Sequence, residues 1–354
     1  DEWMMETELL DGNGPVARTE LEDKLNTVVR FNQFFKVPLG GGNFAYWRHN
    51  PQTDQVELIN DLMSPITFNK HEFGKGVLGV KPRDHEQYLL MQYGLMNEAI
   101  DTVFIHGKAG SGKTFPTTAC ALASTLRTSG NILNNMLPMD GSVPKHLHDI
   151  YRNMRVVGGA YDRLMFYKGG FGDSSVGFLP GGYEEKTIPS LTNFDKAMER
   201  IPFCRDTHMT LADLLEDPTK VDPKKGPKPK EKHDRDFRLP ADCALVDYLN
   251  WDHVRGATLS RVFLICDEMQ NSTDTLAKTI LTRTADRSKR VIMADTRQID
   301  RRGNTPDQNG FMASLYFSLS QNGGRGLPGT MFIDLTRGYR DASADVFADM
   351  PTYQ

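Results

Sequence analysis

The stretch Gly107-Lys108-Ala109-Gly110-Ser111-Gly112-Lys113-Thr114 fits the pattern G-x-x-x-x-G-K-[ST]. It constrains the fold more than any other feature, because the pattern works only between a buried strand and a helix. Both neighbours are present: TVFIHG precedes it as a short apolar strand, and a helical run follows. The glycines let successive backbone N–H groups turn inward into an anion nest, and the helix opening near Lys113 points its positive dipole end the same way. In that setting Gly107 to Thr114 hold phosphate, Lys113 reaches β- and γ-phosphates, and the Thr114 hydroxyl faces Mg²⁺, an oxygen-seeking ion.

A second requirement of such chemistry is a carboxylate at the end of a buried strand. Asp267-Glu268 follows the apolar run Val262 to Cys266. Asp267 is the expected metal-side acid, and Glu268 the expected general base that polarises water. Around the pair the text alternates strand and helix: RVFLICDE, then NSTDTLAKTILTRT with Leu276 and Ile280 four apart, then KRVIMAD, with MFIDL as a last strand. Short apolar strands alternating with helices predict an α/β fold, a mostly parallel sheet with helices on both faces.

With 354 residues the chain can bury a core without metal or disulfide staples. No run of about 18 uncharged apolar residues occurs, and the acidic start DEWMMETELL has no signal-peptide character. A soluble cytoplasmic protein is the expectation, with no membrane partner. Cys120, Cys204, Cys243 and Cys266 are scattered without a C-x-x-C, which predicts buried reduced thiols. His146 and His148 form an H-x-H without a third ligand nearby, so a metal site is not expected there.

Residues 1–80 carry no recognisable motif and read as an N-terminal accessory region. The helical candidate DHEQYLLMQYGLMNEAI opens the second unit, residues 81–354. Within it, eight of the twenty-six residues from Val157 to Gly182 are Gly, which predicts a loop over 157–182. A charged insertion is expected over 205–238, because Thr219 to Arg238 carries eight Lys or Arg against four Asp or Glu and almost no apolar residue. The net charge of −4 is thus an average of a basic insertion and an acidic remainder. A basic arm of that kind either stays solvated or touches phosphate backbones. Tyr161, Phe166, Tyr167, Phe171 and Phe178, interleaved with Arg163 and Lys168, either stack exposed bases or pack in the core.

CDEMQN, LTR at Leu281 to Arg283 and SKRVIMADTRQID ending at Asp300 together resemble the PhoH family of P-loop ATPases, which is related to the first core domain of superfamily 1 helicases. Val176 to Gly181 with Glu184-Glu185-Lys186 is similar to that family's Gly-rich G-x-L-P-G segment, and Val254 to Leu259 to its R-G-x-T-L segment. The resemblance covers about residues 81–345 and implies a RecA-like P-loop NTPase fold with ATP and Mg²⁺ as cofactors.

The same resemblance implies roles. Gln87 would read the adenine edge, Gln298 would sense the γ-phosphate or the attacking water beside Asp295, and Gln270 would couple the site to neighbouring segments. An arginine stabilises transition-state charge through its planar fork. LTRGYRDAS favours Arg340, with Arg337 and Arg283 as alternatives and Arg255 as an organiser of the site. Three positions depart from the family pattern: Ala294 for Gly, Ala257 for Arg and Ser111 for Thr. The implied function is Mg²⁺-dependent ATP hydrolysis coupled to single-stranded nucleic acid, RNA before DNA; the alternative is a nucleotide-gated module that switches a protein partner. Every nucleotide motif from Gln87 to Arg340 belongs to one motor half, so a homo-oligomer, a ring, is expected to supply the missing face.

Overall fold

The computed structural model describes residues 3–10, 14–59, 76–126, 161, 163–170, 191–206, 208–211, 214, 246–248, 258–285 and 287–339. Arg340, Arg255, the G-x-L-P-G segment and the charged run 219–238 lie outside the described residues.

The N-terminal residues form a sheet of their own. β1 (Met4–Glu6), β2 (Val16–Ala17), β3 (Phe34–Gly40), β4 (Asn43–Asn50) and β5 (Gln55–Leu58) assemble in the order β1-β3-β4-β5-β2, with helix α1 (Arg18–Leu25) after β2. The β3–β4 hairpin turns through Gly40, Gly41 and Gly42, all at positive φ, which a side chain would resist. Side chains alternate across this sheet. Phe35, Trp47 and Val56 pack with Leu21 of α1 on one face, whereas Phe34 and Tyr46 join the core of the larger unit on the other.

The larger unit opens with α2 (His85–Leu89), capped by the Asp84 carboxylate, which accepts from Gln87 N at 2.7 Å. The expected helix over 84–100 changes character after one turn: Leu90–Leu95 is π-helical, with a wider spiral than the apolar spacing suggested. Then come β6 (Thr102–Gly107), α3 (Thr114–Leu126), β7 (Arg163–Lys168), α4 (Thr192–Met198), α5 (Pro202–Asp206), β8 (Val246–Tyr248), β9 (Val262–Asp267), α6 (Asp274–Leu281), β10 (Lys289–Ala294), α7 (Gly310–Gly324) and β11 (Thr330–Leu335).

Six strands form one parallel sheet in the order β11-β6-β10-β9-β7-β8. It is the α/β arrangement expected, and both faces are covered. Val103 and Ile105 of β6, Phe263 and Ile265 of β9, and Val291 and Met293 of β10 face the side carrying Ala119 of α3 and Phe194 of α4. Phe104, Leu264, Cys266 and Ile292 face Leu276 and Ile280 of α6 and Phe311 and Leu315 of α7.

Two expectations are corrected. Residues 163–168 are not loop: RLMFYK is strand β7, paired with β8 and β9 inside the sheet. Consequently Tyr161, Phe166 and Tyr167 are buried in the core and not available to stack bases. The packed body also reaches into the expected insertion, since Met209, Leu211 and Leu214 are buried. Cys120, Cys204 and Cys266 are free and buried, as the scattered spacing suggested. Among the described residues no helix is long and apolar enough to cross a membrane.

Candidate functional site

The carboxyl ends of β6, β10 and β9 lie side by side, and each delivers part of one constellation. From β6 the chain enters the glycine loop and then α3, which opens at the half-buried Thr114. Gly110 and Gly112 sit at φ +85° and +87°, turning the loop backbone as an anion nest requires. A Cβ on Gly107 would lie 2.7 Å from Ser111 Oγ and 2.9 Å from the Leu335 carbonyl, so the first glycine is needed for close approach to β11. Lys113 donates to the carbonyls of Gly107 and of Lys108, the latter at 3.1 Å. Burial lowers its ammonium pKa; the carboxylates of Asp295, Asp267 and Glu268 pull in the opposite direction.

Asp267 ends β9, buried. Its Oδ1 accepts from Glu268 N at 3.0 Å and its Oδ2 from Asn193 Nδ2 at 3.5 Å. Burial, with the neighbouring Glu268 charge, pushes its carboxyl up to about 6, against the pull of Lys113. Glu268 occupies the left-handed region at φ 55°, ψ 37°, an unusual conformation for a side-chain-bearing residue. Gly169, just after β7, explains the fit: a Cβ there would come within 2.1 Å of the Glu268 carbonyl, and Gly169 N donates to Asp267 O at 2.8 Å.

β10 ends at Ala294, and the next residue joins the two halves. Asp295 Oδ2 accepts from Ala109 N in the glycine loop at 2.7 Å. Its Oδ1 accepts from Arg297 N at 3.2 Å and pairs with Arg297 Nε at 3.4 Å. Gln270, fully buried, donates through Nε2 to Glu268 Oε2 at 2.5 Å and to Gln298 O at 2.9 Å, and its Oε1 accepts from Asp295 N. Gln298 itself is exposed on the turn after Asp295.

A wall closes the other side of the loop. Gln87 Nε2 donates to Ser111 O at 3.2 Å, and its Oε1 accepts from Arg83 N at 3.0 Å, so the amide buttresses the loop. Tyr339 N donates to Gly110 O at 3.0 Å, its hydroxyl donates to Asp84, and the Arg83 guanidinium lies 4.9 Å from its ring centroid. Glu86 accepts from Thr336 N at 2.8 Å. Tyr46 of the N-terminal sheet meets His85 at 3.1 Å; burial raises the Tyr46 phenol to about 12 and lowers the His85 imidazole, with the Arg337 charge pulling both down. Sequence reasoning missed Arg83, Asp84, Glu86, Asn193 and Tyr339. Only GYR, the aromatic beside the expected arginine, held a trace of them.

Arg283 is not part of this constellation. Helix α6 carries the chain back to the end of the sheet where the strands begin, and there Arg283 O accepts from Leu259 N at 2.8 Å, just ahead of β9.

The residues present suit a nucleotide with its metal. Ser111 Oγ is buried without a hydrogen-bond partner in the glycine loop, and the Asp267 carboxylate and Thr114 hydroxyl are the hard oxygens Mg²⁺ takes. Among the described residues no group of three or more His, Cys, Asp or Glu could hold a metal ion.

A parallel sheet with a glycine loop at one strand end and an acidic pair at another, flanked by helices, is consistent with a P-loop NTPase. The model of the family described as "PhoH-like protein" matches residues 160–323, the family that the motifs resemble. Protein PhoH2 of Bacillus subtilis is 24% identical over 321 residues, 90% of this chain and 56% of that protein. A PhoH-like protein of Synechocystis sp. is 28% identical over 201 residues, 56% of this chain and 43% of that one. The chain spans about half the length of the curated relatives it matches.

Proposed function

We infer that the chain is a Mg²⁺-dependent ATPase of RecA-like build, coupled to single-stranded nucleic acid, RNA before DNA. One observation carries the ATPase reading: the Lys113 loop and the Asp267–Glu268 strand end flank Asp295, whose carboxylate is bonded to the loop itself. Lys113 and the loop amides from Gly107 to Thr114 hold the phosphates, with Lys113 exchanging its carbonyl partners for β- and γ-oxygens. Thr114 and Asp267 hold Mg²⁺, whose charge offsets that of the phosphates. Glu268, kept in place by Gln270, accepts the proton of the water that attacks the γ-phosphorus as the β–γ bridge breaks. Gln298 meets that water or the γ-phosphate from the loop after Asp295, and Arg340 supplies transition-state charge, with Arg337 the alternative. Gln87 keeps a second Nε2 hydrogen for the adenine edge.

The nucleic-acid half leans on the family resemblance and on the basic run 219–238, because the aromatics Tyr161, Phe166 and Tyr167 are core residues. A ring of copies supplies the second motor face. ATP turnover with and without single-stranded RNA or DNA, using Lys113→Ala as the blank, tests both halves. Stimulation by RNA is expected. Turnover indifferent to any nucleic acid, with no binding at low salt, promotes the nucleotide-gated switch; full turnover by Lys113→Ala removes the loop assignment.

A further inference from the structure

His106 is the last residue of β6 before the glycine loop, and in register it lies opposite Ala294 of β10 and Asp334 of β11. Its imidazole spans these strands. Nδ1 lies 3.0 Å from Asp334 Oδ1 and Nε2 lies 3.0 Å from Thr296 Oγ1. A carboxylate can only accept, so Nδ1 donates to Asp334, and Nε2 completes the chain with the Thr296 hydroxyl.

The two ends of this chain of bonds belong to segments that border the loop from opposite sides. Thr296 follows Asp295, which binds Ala109 N, and precedes Gln298, whose carbonyl is held by Gln270. Asp334 precedes Thr336, bonded to Glu86, and Tyr339, bonded to Gly110 and Asp84. The glycine loop joins the two segments once, through Ala109 N to Asp295 and Tyr339 N to Gly110 O; the His106 imidazole is a second link, made by side chains across β10, β6 and β11.

We propose that Asp334–His106–Thr296 is a positioning relay that couples the segment 295–298 to the segment 336–339, so that nucleotide sensed beside Asp295 is felt at Tyr339. The relay rests on the ATPase reading above. His106 touches neither phosphate nor water in this role; it acts through the two segments it spans.

Hydrogen exchange of the whole chain, with and without Mg²⁺ and a non-hydrolysable ATP analogue, tests it. In the wild type the analogue is expected to slow exchange in both 295–298 and 336–339. His106→Asn keeps a donor for Asp334 and loses Thr296; His106→Gln reaches Thr296 and loses Asp334. Each should keep the slowing at 295–298 within about twofold and lose it at 336–339 by roughly tenfold, with a matching fall in kcat and little change in KM for ATP, as expected when positioning is lost and binding is kept. Thr296→Val, a near-isosteric change, should reproduce the effect. Equal slowing at both segments in all three variants would overturn the relay. If the wild-type chain shows no analogue binding at all, the ATPase reading falls and the relay with it. Binding with uncoupled segments already in the wild type removes the relay alone.

Discussion

Gln270 Oε1 accepts the backbone N–H of Asp295 at 3.2 Å, which fastens the turn after β9 to the end of β10. The same side chain holds the Glu268 carboxylate, so one buried amide sets both the candidate base and the residue bonded to the phosphate loop.

Replacing Gln270 should therefore cost fold and chemistry together. Gln270→Ala leaves Asp295 N–H buried without an acceptor, a loss of about 1–3 kcal/mol, and frees Glu268 to rotate. Gln270→Glu is expected to lower turnover further, because it sets a second carboxylate against Glu268 in place of a donor. Urea midpoints and ATP turnover of the two variants, measured together, check this; turnover equal to wild type in Gln270→Glu would refute the tie.

Gly112 has two independent reasons to be glycine. It sits at φ +87°, and a Cβ would lie 2.5 Å from Gln87 Nε2. Gly112→Ala should weaken ATP binding at least tenfold by calorimetry, the left-handed conformation alone costing about 1–3 kcal/mol. Gln87→Ala removes the collision but not the dihedral strain, so Gly112→Ala should cost less affinity on the Gln87→Ala background than on the wild type, and still cost some. No cost on that background would mean that the backbone conformation of the loop is immaterial.

Burial holds the Asp267 carboxyl at about 6, above the unfolded value of about 3.9. The folded chain therefore keeps a proton that the unfolded chain has released between those values. The stability this provides is fully present below about pH 4 and is lost as pH rises through 6. At pH 8 Asp267→Asn should be more stable than wild type by about 2–3 kcal/mol, at ~1.4 kcal/mol per pKa unit, while ATP turnover disappears. The stability gain should vanish at pH 4; urea melts at the two pH values decide it.

Which parts of this were legible in the sequence follows from how each is packed. β6, β9, β10 and β11 read as unbroken apolar runs because parallel strands covered on both faces have no polar side to alternate with. The same two-sided burial hid the N-terminal sheet, where Phe34-Phe35 and Tyr46-Trp47 send neighbours into different cores. β7 was masked by its glycines: Gly158, Gly159, Gly169 and Gly170 bracket RLMFYK and weighted the window towards loop. The Lys113 loop and the Asp267–Glu268 pair were visible because their chemistry is local. Asp84 with Tyr339 and Ala109 with Asp295 were not, since those partners are brought together from 255 and 186 residues apart.

Lys289 is the mirror image of Asp267, and the proposed chemistry does not use it. It is buried at the start of β10, where its Nζ donates to Gly94 O at 2.7 Å and to Asn97 O at 2.8 Å, clamping the end of the π-helical turn to the sheet. Burial lowers its ammonium to about 7, whereas the unfolded chain keeps the proton up to about 10.4. Between those values the unfolded state holds more protons, so stability from this group rises with pH and is flat below about 7. In Lys289→Met that rise should be absent, by about 1.4 kcal/mol per pH unit relative to wild type. The variant should also be less stable at pH 10, where the neutral wild-type amine still serves both carbonyls and Met leaves them without a donor. Denaturant melts of the two proteins between pH 7 and 10 isolate the difference, since every other titrating group is common to both; parallel curves would place the Lys289 proton on the folded chain throughout.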